Sequence, residues 1–248
     1  MLQIVGANPD ASIMLGTTMV GTRIGIIIPA FNEEESIGRV IHEIPKNAVS
    51  EIVVVDNGST DRTGIVARDC GVSVIEEPTR GYGRACSAGI RYFEENPPTI
   101  VVFLDGDYSD FPGELSRLVQ PIVRDRADLV LGSRLARWRK GNQVPIHVVV
   151  ANRLFAVLID LLCGLSLTDL GPFRAIEWKA LTQLHMTSQT FGWSPEMIVK
   201  AAKARLRVSE IPISYRKRLG KSKISGSIRA SMSAALQIFF TILRYRMF

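Results

Sequence analysis

Cysteine and histidine are scarce in this chain of 248 residues, which has three of each. Cys70, Cys86 and Cys163 are odd in number and lack the spacing of a metal site. This argues against a disulfide framework and indicates reduced thiols in a cytosolic protein. His147 and His185 are isolated, so they are expected to be surface or packing residues rather than ligands.

A long apolar run is also missing. Spanning a bilayer takes about 20 predominantly apolar residues. Segment 144–162 is interrupted by Asn152, Arg153 and Asp160, and segment 230–243 is too short. The sequence therefore predicts no membrane-spanning helix.

Signals that would divide the chain are absent as well. No basic segment precedes the apolar stretch near the start, so residues 1–22 are interpreted as an N-terminal arm rather than a signal peptide. The chain has no internal repeat, low-complexity tract or linker rich in Pro, Gly and Ser. One domain is predicted over 23–226, and an amphipathic helix over 227–248 belongs to the same domain or to a membrane interface.

What the chain does have is an excess of basic residues. Its 30 Lys and Arg against 24 Asp and Glu give a formal charge of +6. A positive balance favours anionic partners such as nucleotide phosphates, anionic lipid or nucleic acid. The basic residues are spread out and form no nucleic-acid-binding motif, so nucleic acid is not predicted as a partner.

Strand-like and helix-like segments alternate through the first half of the chain. Apolar runs rich in β-branched residues predict strands over 24–28, 51–55, 72–76, 100–104 and 129–132. Helices are predicted between them, over 34–44, 62–70, 84–95 and 112–124. Repeated βα units with apolar strands predict an α/β fold with a mostly parallel central sheet covered by helices.

Two aspartates mark the end of the fourth predicted strand. Asp105, Gly106 and Asp107 follow the apolar run 100–104 directly. Carboxylates this close repel each other, and burial would raise their pKa values, so they favour a cationic partner. Oxygen ligands on a short loop suit Mg²⁺ or Mn²⁺ shared with substrate phosphates. A solvated acidic turn is the alternative.

The loops after the first three strands bring polar groups to the same expected edge. They contribute Pro29, Ala30, Phe31 and Glu33, then Asp56 and Gly58, then Arg80 and Gly81. Loops on one edge of a sheet converge on one crevice, where open α/β sheets bind ligands. Each loop taken singly also has a structural explanation, and Gly81-Tyr82-Gly83 is weak evidence for a phosphate loop.

Six motifs, in a fixed order from Arg23 onward, carry a resemblance to a known family. They are the segments 26–34, 53–61, 104–107, 132–134, 169–174 and 220–223. With them the chain resembles the family 2 glycosyltransferases, in the branch of dolichyl-phosphate and polyprenyl-phosphate sugar synthases. The resemblance implies the GT-A fold, a Rossmann-like mostly parallel sheet flanked by helices, with a C-terminal amphipathic helix. It also implies a nucleotide-sugar donor.

The resemblance implies roles for individual residues. Nucleotide binding is implied for Pro29, Ala30, Phe31, Glu33, Asp56, Gly58, Arg80, Gly81, Asp105 and Gly106. Within that set, Asp56 matches the residue that hydrogen-bonds the base. Asp105 and Asp107 match the pair that holds Mg²⁺ or Mn²⁺ and, through it, the donor diphosphate. Phosphate or acceptor binding is implied for Arg134, Arg174, Arg216, Lys217, Arg218 and Lys223.

Two positions depart from the family pattern. Asn57 stands where many relatives carry a second aspartate, which leaves the base preference open. Ser109 stands where some synthases use an additional metal ligand.

The chemistry of the acceptor leaves two possibilities. A cation on Asp105 and Asp107 would stabilise the charge on a nucleoside-diphosphate leaving group by several kcal/mol. An alcohol acceptor needs a general base, for which Glu196 is the candidate. A phosphate acceptor is already ionised near pH 7 and needs only cationic positioning by the basic residues of 216–223.

Two apolar segments of the second half suit a lipid surface. Segment 144–162 and the tail from Ser227 combine an apolar face with basic residues, as interfacial helices do. Packing against the protein's own sheet or against a dimer partner is the alternative. If the acceptor is a lipid phosphate, deletion of the tail from Ala230 should reduce binding to anionic liposomes and leave donor binding nearly intact.

The sequence thus predicts an inverting glycosyltransferase that moves glucose or mannose from a nucleotide-diphosphate sugar to polyprenyl or dolichyl phosphate. It is expected to be cytoplasmic, peripheral at the inner face of the cell membrane, and possibly a homo-oligomer. Transfer to a soluble hydroxyl acceptor is the alternative. A sugar-1-phosphate nucleotidyltransferase is disfavoured because the loop after the first strand, Pro29 to Glu33, is not glycine-rich. A non-enzymatic membrane-associated module would leave the paired aspartates unexplained.

Overall fold

The structure is a computed structural model that describes residues 21–136, 144, 146–220 and 228–247. Lys223 and residues 1–20, most of the predicted arm, lie outside the described residues.

The described strands form one mixed sheet. They are β1 (Ile24–Ala30), β2 (Glu51–Asp56), β3 (Ser73–Glu76), β4 (Ile100–Phe103), β5 (Leu129–Ser133), β6 (Arg174–Glu177) and β7 (Val208–Pro212). Across the described part of the sheet the order is β3-β2-β1-β4-β6-β5-β7. Only β6 among them runs antiparallel to its neighbours, β4 and β5. The predicted mostly parallel sheet is confirmed, although the sequence patterns do not predict β6 and β7.

Helices cover both faces of this sheet. Those described are α1 (Ile37–Glu43), α2 (Thr63–Asp69), α3 (Tyr82–Glu94), α4 (Leu115–Val123), α5 (Ile146–Cys163), α6 (Trp178–Gln183), α7 (Trp193–Lys203) and α8 (Ile228–Met247). The predicted helices of the first half are present, with ends within three residues of those expected. The predicted start at Pro112 is a 3₁₀ turn that precedes α4.

Alternation along the strands builds two cores. Successive side chains of a strand point to opposite faces of the sheet. Ile27 and Val53 therefore pack in one core with α3, α5, α7 and α8. Ile26, Ile28 and Val54 pack in the other with α1, α2 and α4. The central strands are buried on both faces, which explains their almost continuous run of Ile and Val.

Helices α5 and α8 pack on the body with one face and leave the other exposed. Ile159 of α5 and Ile242 of α8 are both 0% exposed within the first core. On the opposite sides lies what we call the outer apolar surface, formed by Ile146, Val150, Leu154, Val157, Leu161, Leu236, Phe239 and Phe240. No helix within the described ranges is long and apolar enough to cross a membrane.

Candidate active site

The carboxyl ends of β1, β2 and β4 lie side by side and place their loops around one crevice. Ala30 at the end of β1 is level with Asp56 at the end of β2. Phe103 ends β4 next to Ile27, so the chain leaves the sheet just before Asp105. Parallel strands thus bring the predicted nucleotide loops and the paired aspartates to the same edge.

Asp107 is held in one orientation by its neighbours. Its Oδ1 accepts hydrogen bonds from the Ser109 amide at 2.9 Å and the Ser109 hydroxyl at 2.6 Å. Its Oδ2 lies 2.9 Å from Nη2 of Arg218. The Arg218 guanidinium also reaches Oε1 of Glu33, at 3.4 Å. A cationic group therefore already contacts Asp107, and the same group contacts Glu33.

Asp105 and Asp110 add further acidity to this place. Burial, and then the Asp107 charge, raise the pKa of Asp105 to about 6, although Arg218 and Arg134 act in the opposite direction. The hydroxyl of Tyr82 donates to Oδ1 of Asp105 at 3.3 Å. Asp110 is 2% exposed, and neither of its carboxylate oxygens has a hydrogen-bond partner among the described residues. Burial and the Asp105 charge raise the pKa of Asp110 well above its usual value.

These groups fit a divalent cation. Buried carboxylates without sufficient positive charge favour a cation, and hard oxygen ligands are those that Mg²⁺ and Mn²⁺ prefer. The described residues contain no group of three or more His, Cys, Asp or Glu side chains placed to hold a metal ion together. A cation on Asp105 and Asp107 would therefore complete its coordination with water or with substrate phosphates, the usual arrangement for Mg²⁺.

The side chains predicted to bind the nucleotide base come from the ends of β1, β2 and β3. Oδ1 of Asp56 accepts the Ser59 amide at 3.0 Å, while its carboxylate stays partly exposed at the edge. The Arg80 guanidinium lies over the Phe31 ring, 3.1 Å from its centroid. Two predicted nucleotide-binding side chains from different loops are thus in contact.

Asn57 serves the architecture of the third loop. Its amide nitrogen donates to the carbonyl oxygens of Glu77 at 3.0 Å and Thr79 at 2.7 Å. Its amide oxygen accepts the Gly81 amide at 2.8 Å. An aspartate could not donate to two carbonyl oxygens, so the departure from the family pattern has a structural reason.

Arg134 is locked in a buried ion pair. Its Nε and Nη2 donate to the two carboxylate oxygens of Asp169 at 2.7 and 2.8 Å. The guanidinium also lies 5.3 Å from the centre of the Tyr215 ring. Burial alone would raise the pKa of Asp169, but the Arg134 charge and its hydrogen bonds lower it, so the pair stays ionised. Arg134 is thereby a preorganised cation near the acidic loop, as its electrostatic effect on Asp105 indicates.

The basic segment before Gly220 has members with different tasks. Arg216 donates to the carbonyl oxygens of Tyr108 at 2.6 Å and Asp110 at 3.2 Å, and pairs with Glu43 at 2.7 Å. Its hydrogen bonds lower the pKa of Glu43. Arg216 therefore fastens the acidic loop to α1 and is not aimed at a ligand. Lys217 is exposed, and Arg218 points into the site.

Two predicted site residues are fully buried and hydrogen-bonded to the chain itself. Arg174 is 1% exposed and donates to the backbone carbonyl oxygens of Leu170, Gly171 and Ser194. Glu196 is 0% exposed and accepts the Thr187 and Ser188 amides at 2.8 and 2.6 Å.

These contacts correct two sequence-based expectations. A guanidinium committed to backbone carbonyl oxygens, as in Arg174, is not placed to bind an acceptor phosphate. A fully buried carboxylate that also pairs with Lys200 at 2.7 Å is not placed to act as a general base, so Glu196 is a structural residue in this geometry.

Several residues that shape the site are not predicted from sequence. Asp110, Tyr82 and Asp169 surround the paired aspartates and Arg134, and Ser36 joins Glu33 to the Gly106 carbonyl oxygen at 2.8 Å. The run from Asp105 to Asp110, with three aspartates in six residues, is the available sign of Asp110. Tyr82 lies in the Gly81-Tyr82-Gly83 motif and Asp169 begins the motif 169–174, but neither pattern shows which side chain these residues contact.

Comparisons with known proteins identify the family of this chain. The model of the family described as Glycosyl transferase family 2 matches residues 25–181. An uncharacterized glycosyltransferase of Mycobacterium tuberculosis is 37% identical over 225 residues, which cover 90% of this chain and 100% of that protein. Undecaprenyl-phosphate mannosyltransferase of Micrococcus luteus is 33% identical over 221 residues, which cover 83% of this chain and 89% of that protein.

A solved structure has the same architecture. Glucosyl-3-phosphoglycerate synthase from Mycobacterium tuberculosis, crystallised with Mn²⁺, UDP and glucosyl-3-phosphoglycerate, aligns with a TM-score of 0.79 at 23% identity. The alignment covers 99% of this chain and 88% of that one. At this identity the likeness concerns the fold. The sheet, the strand-end loops and the match of the family model over residues 25–181 identify the chain as a member of glycosyl transferase family 2 with the GT-A fold.

Proposed function

We propose that this protein is an inverting glycosyltransferase that moves a hexose, glucose or mannose, from a nucleotide-diphosphate sugar to a polyprenyl or dolichyl phosphate. The observation that carries the donor half is the acidic centre at the end of β4. There Asp105 and Asp107 lie with Asp110, and the guanidinium of Arg218 lies 2.9 Å from Oδ2 of Asp107. Such a centre suits a divalent metal bound to the diphosphate of a donor.

Different residues of the chain bind different parts of the donor. Asp56, Phe31 and Arg80 bind the base and ribose, and Asp105 and Asp107 hold Mg²⁺ or Mn²⁺. When bound, the metal supplies Lewis-acid stabilisation of the diphosphate leaving group. A cation held by Asp107 would repel Arg218, whose guanidinium would then be available to the donor phosphates. Arg134, fixed by Asp169, adds a charge that needs no reorganisation.

The proposed lipid-phosphate acceptor is supported by two arguments, one from the chemistry of the nucleophile and one from the outer apolar surface. An oxygen of the acceptor phosphate attacks the anomeric carbon, the bond to the nucleoside diphosphate breaks, and no general base is required. This agrees with the burial of Glu196. A groove of about 470 Å³ begins at Leu135, next to Arg134, and runs along α5 between Val149, Val150, Leu154 and Val157.

That groove opens on the outer apolar surface, and the C-terminal end of α8 carries Arg244 and Arg246. Apolar side chains near basic ones suit the interface of an anionic membrane. We therefore place the protein at the inner face of the cell membrane as a peripheral protein. The names undecaprenyl-phosphate mannosyltransferase and dolichyl-phosphate hexose transferase, carried by relatives, support the same acceptor class.

A soluble acceptor is the second candidate. The structural likeness to a glucosyl-3-phosphoglycerate synthase extends over 99% of this chain. A soluble phosphorylated acceptor would use the same cations around Arg134 and would not need the outer apolar surface.

The test is a panel of nucleotide sugars assayed with undecaprenyl phosphate, with 3-phosphoglycerate and with no acceptor. We expect transfer to the lipid phosphate in Mg²⁺ or Mn²⁺ and none in EDTA. Efficient transfer to 3-phosphoglycerate, with the lipid ignored, would overturn the lipid acceptor and leave the donor half standing.

Asp107→Asn tests the metal site within the same assay. The amide keeps the size of the side chain and an acceptor for Ser109 but removes the charge, so turnover should fall roughly 100-fold or more. Asp69→Asn, at an exposed aspartate of α2, is the matched control and should be unchanged. Full activity of Asp107→Asn in EDTA would refute the metal assignment.

A further inference from the structure

The Gly81-Tyr82-Gly83 motif at the start of α3 has no task in the donor chemistry described above. A phosphate loop presents free amides at a helix N-terminus. Here the Arg84 amide donates to the carbonyl oxygen of Gln189 at 3.1 Å, so this helix end is already covered by the chain. The covering segment, residues 187–189, is called the strap.

The two glycines are required by the strap. A Cβ atom on Gly83 would lie 2.1 Å from the Ser188 carbonyl oxygen, and one on Gly81 would lie 2.3 Å from that of Gln189. Both distances are far shorter than any real contact with backbone, which cannot give way cheaply. Gly81 also has a φ of +152°, which other residues rarely adopt. The glycines therefore serve the close approach of two backbones.

Glu196 fixes the strap by accepting hydrogen bonds from two of its residues. Its Oε1 accepts the Thr187 amide at 2.8 Å and the Thr187 hydroxyl at 2.9 Å, and its Oε2 accepts the Ser188 amide at 2.6 Å. Lys200 neutralises the carboxylate at 2.7 Å. A fully buried carboxylate with this many donors is a rigid anchor.

Tyr82 lies between the two glycines against which the strap packs. Its hydroxyl donates to Oδ1 of Asp105 at 3.3 Å, and its ring packs against the core below α3. A donor on one carboxylate oxygen fixes the rotation of the group and leaves the other oxygen for a cation. Such partners of metal ligands typically influence metal affinity by about 10–100-fold.

We propose that Tyr82 is a positioning residue that orients Asp105 for the divalent cation, and that Glu196 acts through the strap to hold Tyr82 there. The inference rests on the proposed role of Asp105 and Asp107 as metal ligands. It gives a reason for both glycines, for the buried Glu196 and for the tyrosine between the glycines.

The test is a titration of the purified protein with Mn²⁺ alone, in which electron paramagnetic resonance counts the free ion. Tyr82→Phe keeps the ring and removes the hydroxyl, and its Mn²⁺ affinity should fall about 10-fold. Tyr92→Phe is the matched control, because Tyr92 lies on the same helix but bonds Glu51 and Ser73 away from the site. Its Mn²⁺ affinity should equal that of wild type.

Glu196→Gln tests the strap. The glutamine has the same shape but turns one acceptor into a donor that faces backbone amides, so the strap should shift and Mn²⁺ affinity should fall at least threefold. Melting is recorded for every variant, and binding is measured well below the lowest melting temperature. If Glu196 is purely structural, Glu196→Gln will lower the melting temperature and leave Mn²⁺ affinity unchanged. That result would overturn the role of the strap in holding Tyr82.

The remaining outcomes separate this inference from the proposed function. Wild-type affinity in Tyr82→Phe, or an equal loss in Tyr92→Phe, overturns the role of Tyr82 and leaves the metal site standing. Absence of Mn²⁺ binding by wild type, or undiminished binding by Asp107→Asn, overturns the metal site and this inference with it.

Discussion

At the scale of single residues, the charge of Asp105 depends on its surroundings. Because its pKa is raised to about 6, the folded metal-free protein keeps this carboxyl protonated in mildly acidic solution. A cation needs the ionised form, so protons compete with it. The stability that the protonated group contributes is fully present below its ordinary pKa near 3.8 and is lost as pH rises through about 6.

The first prediction follows from that competition. Mn²⁺ affinity should fall about tenfold for each pH unit below 6 and level off above 7. Titrations at pH 5, 6 and 7 measure it, and melting in EDTA over the same range should show the opposite trend, with stability falling as pH rises. An affinity that does not change between pH 5 and 7 would contradict the burial of Asp105.

Asp56 gives a second prediction at this scale. Removal of a charged acceptor for the base should weaken donor binding by about 1.5–3 kcal/mol in Asp56→Ala. The variant also loses the hydrogen bond from Ser59, so Asp61→Ala, which loses a similar bond to Thr63 in the same loop, is the control. Calorimetry with UDP and GDP in Mn²⁺ should show weaker binding for the first variant alone. Equal affinities would remove Asp56 from the site.

Residue types at the site could be predicted from sequence, but their partners could not. Asp105 and Asp107 follow an apolar run, and this local pattern correctly predicts their position just beyond the end of β4. Arg216, Arg174 and Glu196 carry the charges expected of site residues, yet their bonds go to Glu43, to backbone carbonyl oxygens and to the strap. Those contacts join segments far apart in the chain, and charge alone does not distinguish a ligand-binding residue from one that stabilises the fold.

At the scale of elements, β1, β2, β4 and β5 are predictable because buried parallel strands are largely continuous apolar runs. The half-buried β3 has only Val74 and Ile75 between two polar residues. The short β6 and β7 contain polar residues and lack such runs, and the antiparallel direction of β6 depends on the path of the chain around it. Helices α5 and α8 are predicted as amphipathic, and each indeed has a buried and an exposed side.

The exposed side of α5 gives the third prediction. Leu154 and Leu161 are 66% and 79% exposed, so the double substitution to serine should leave the melting temperature unchanged and reduce binding to vesicles with anionic lipid at least threefold. Ile65→Ser removes an apolar side chain that is 48% exposed on α2, outside this surface, and serves as control. Unchanged vesicle binding by the double variant would contradict the proposed lipid contact of the outer apolar surface.

At the scale of the whole molecule, α8 is part of the body. Ile242 is 0% exposed in the same core as Trp193, and the hydroxyl of Tyr245 contacts that of Thr187 in the strap. The expectation that deletion from Ala230 spares donor binding therefore no longer holds, since the deletion would open a core and free the strap.

Point substitutions separate the two sides of α8 and give the fourth prediction. Ile242→Ala should lower the free energy of unfolding by about 2–5 kcal/mol because it leaves a cavity. Phe240→Ala, at a site 63% exposed on the same helix, should change it by less than about 0.5 kcal/mol while weakening vesicle binding. Urea unfolding and vesicle sedimentation measure the two effects. A large loss of stability in Phe240→Ala would mean that the outer side is also packed.

The reversed direction of β6 has a consequence for how such enzymes diversify. Arg174, the first residue of β6, is level with both Phe103 and Leu131, so the chain enters the crevice here where other strands leave it. The entering segment carries Asp169 to Arg134, on the side opposite the nucleotide loops. If the acceptor binds on this side, as we propose, insertions or deletions between α5 and β6 would reshape the acceptor side and leave the donor side intact. On such a scaffold, acceptor specificity could change while the donor-binding residues stay the same.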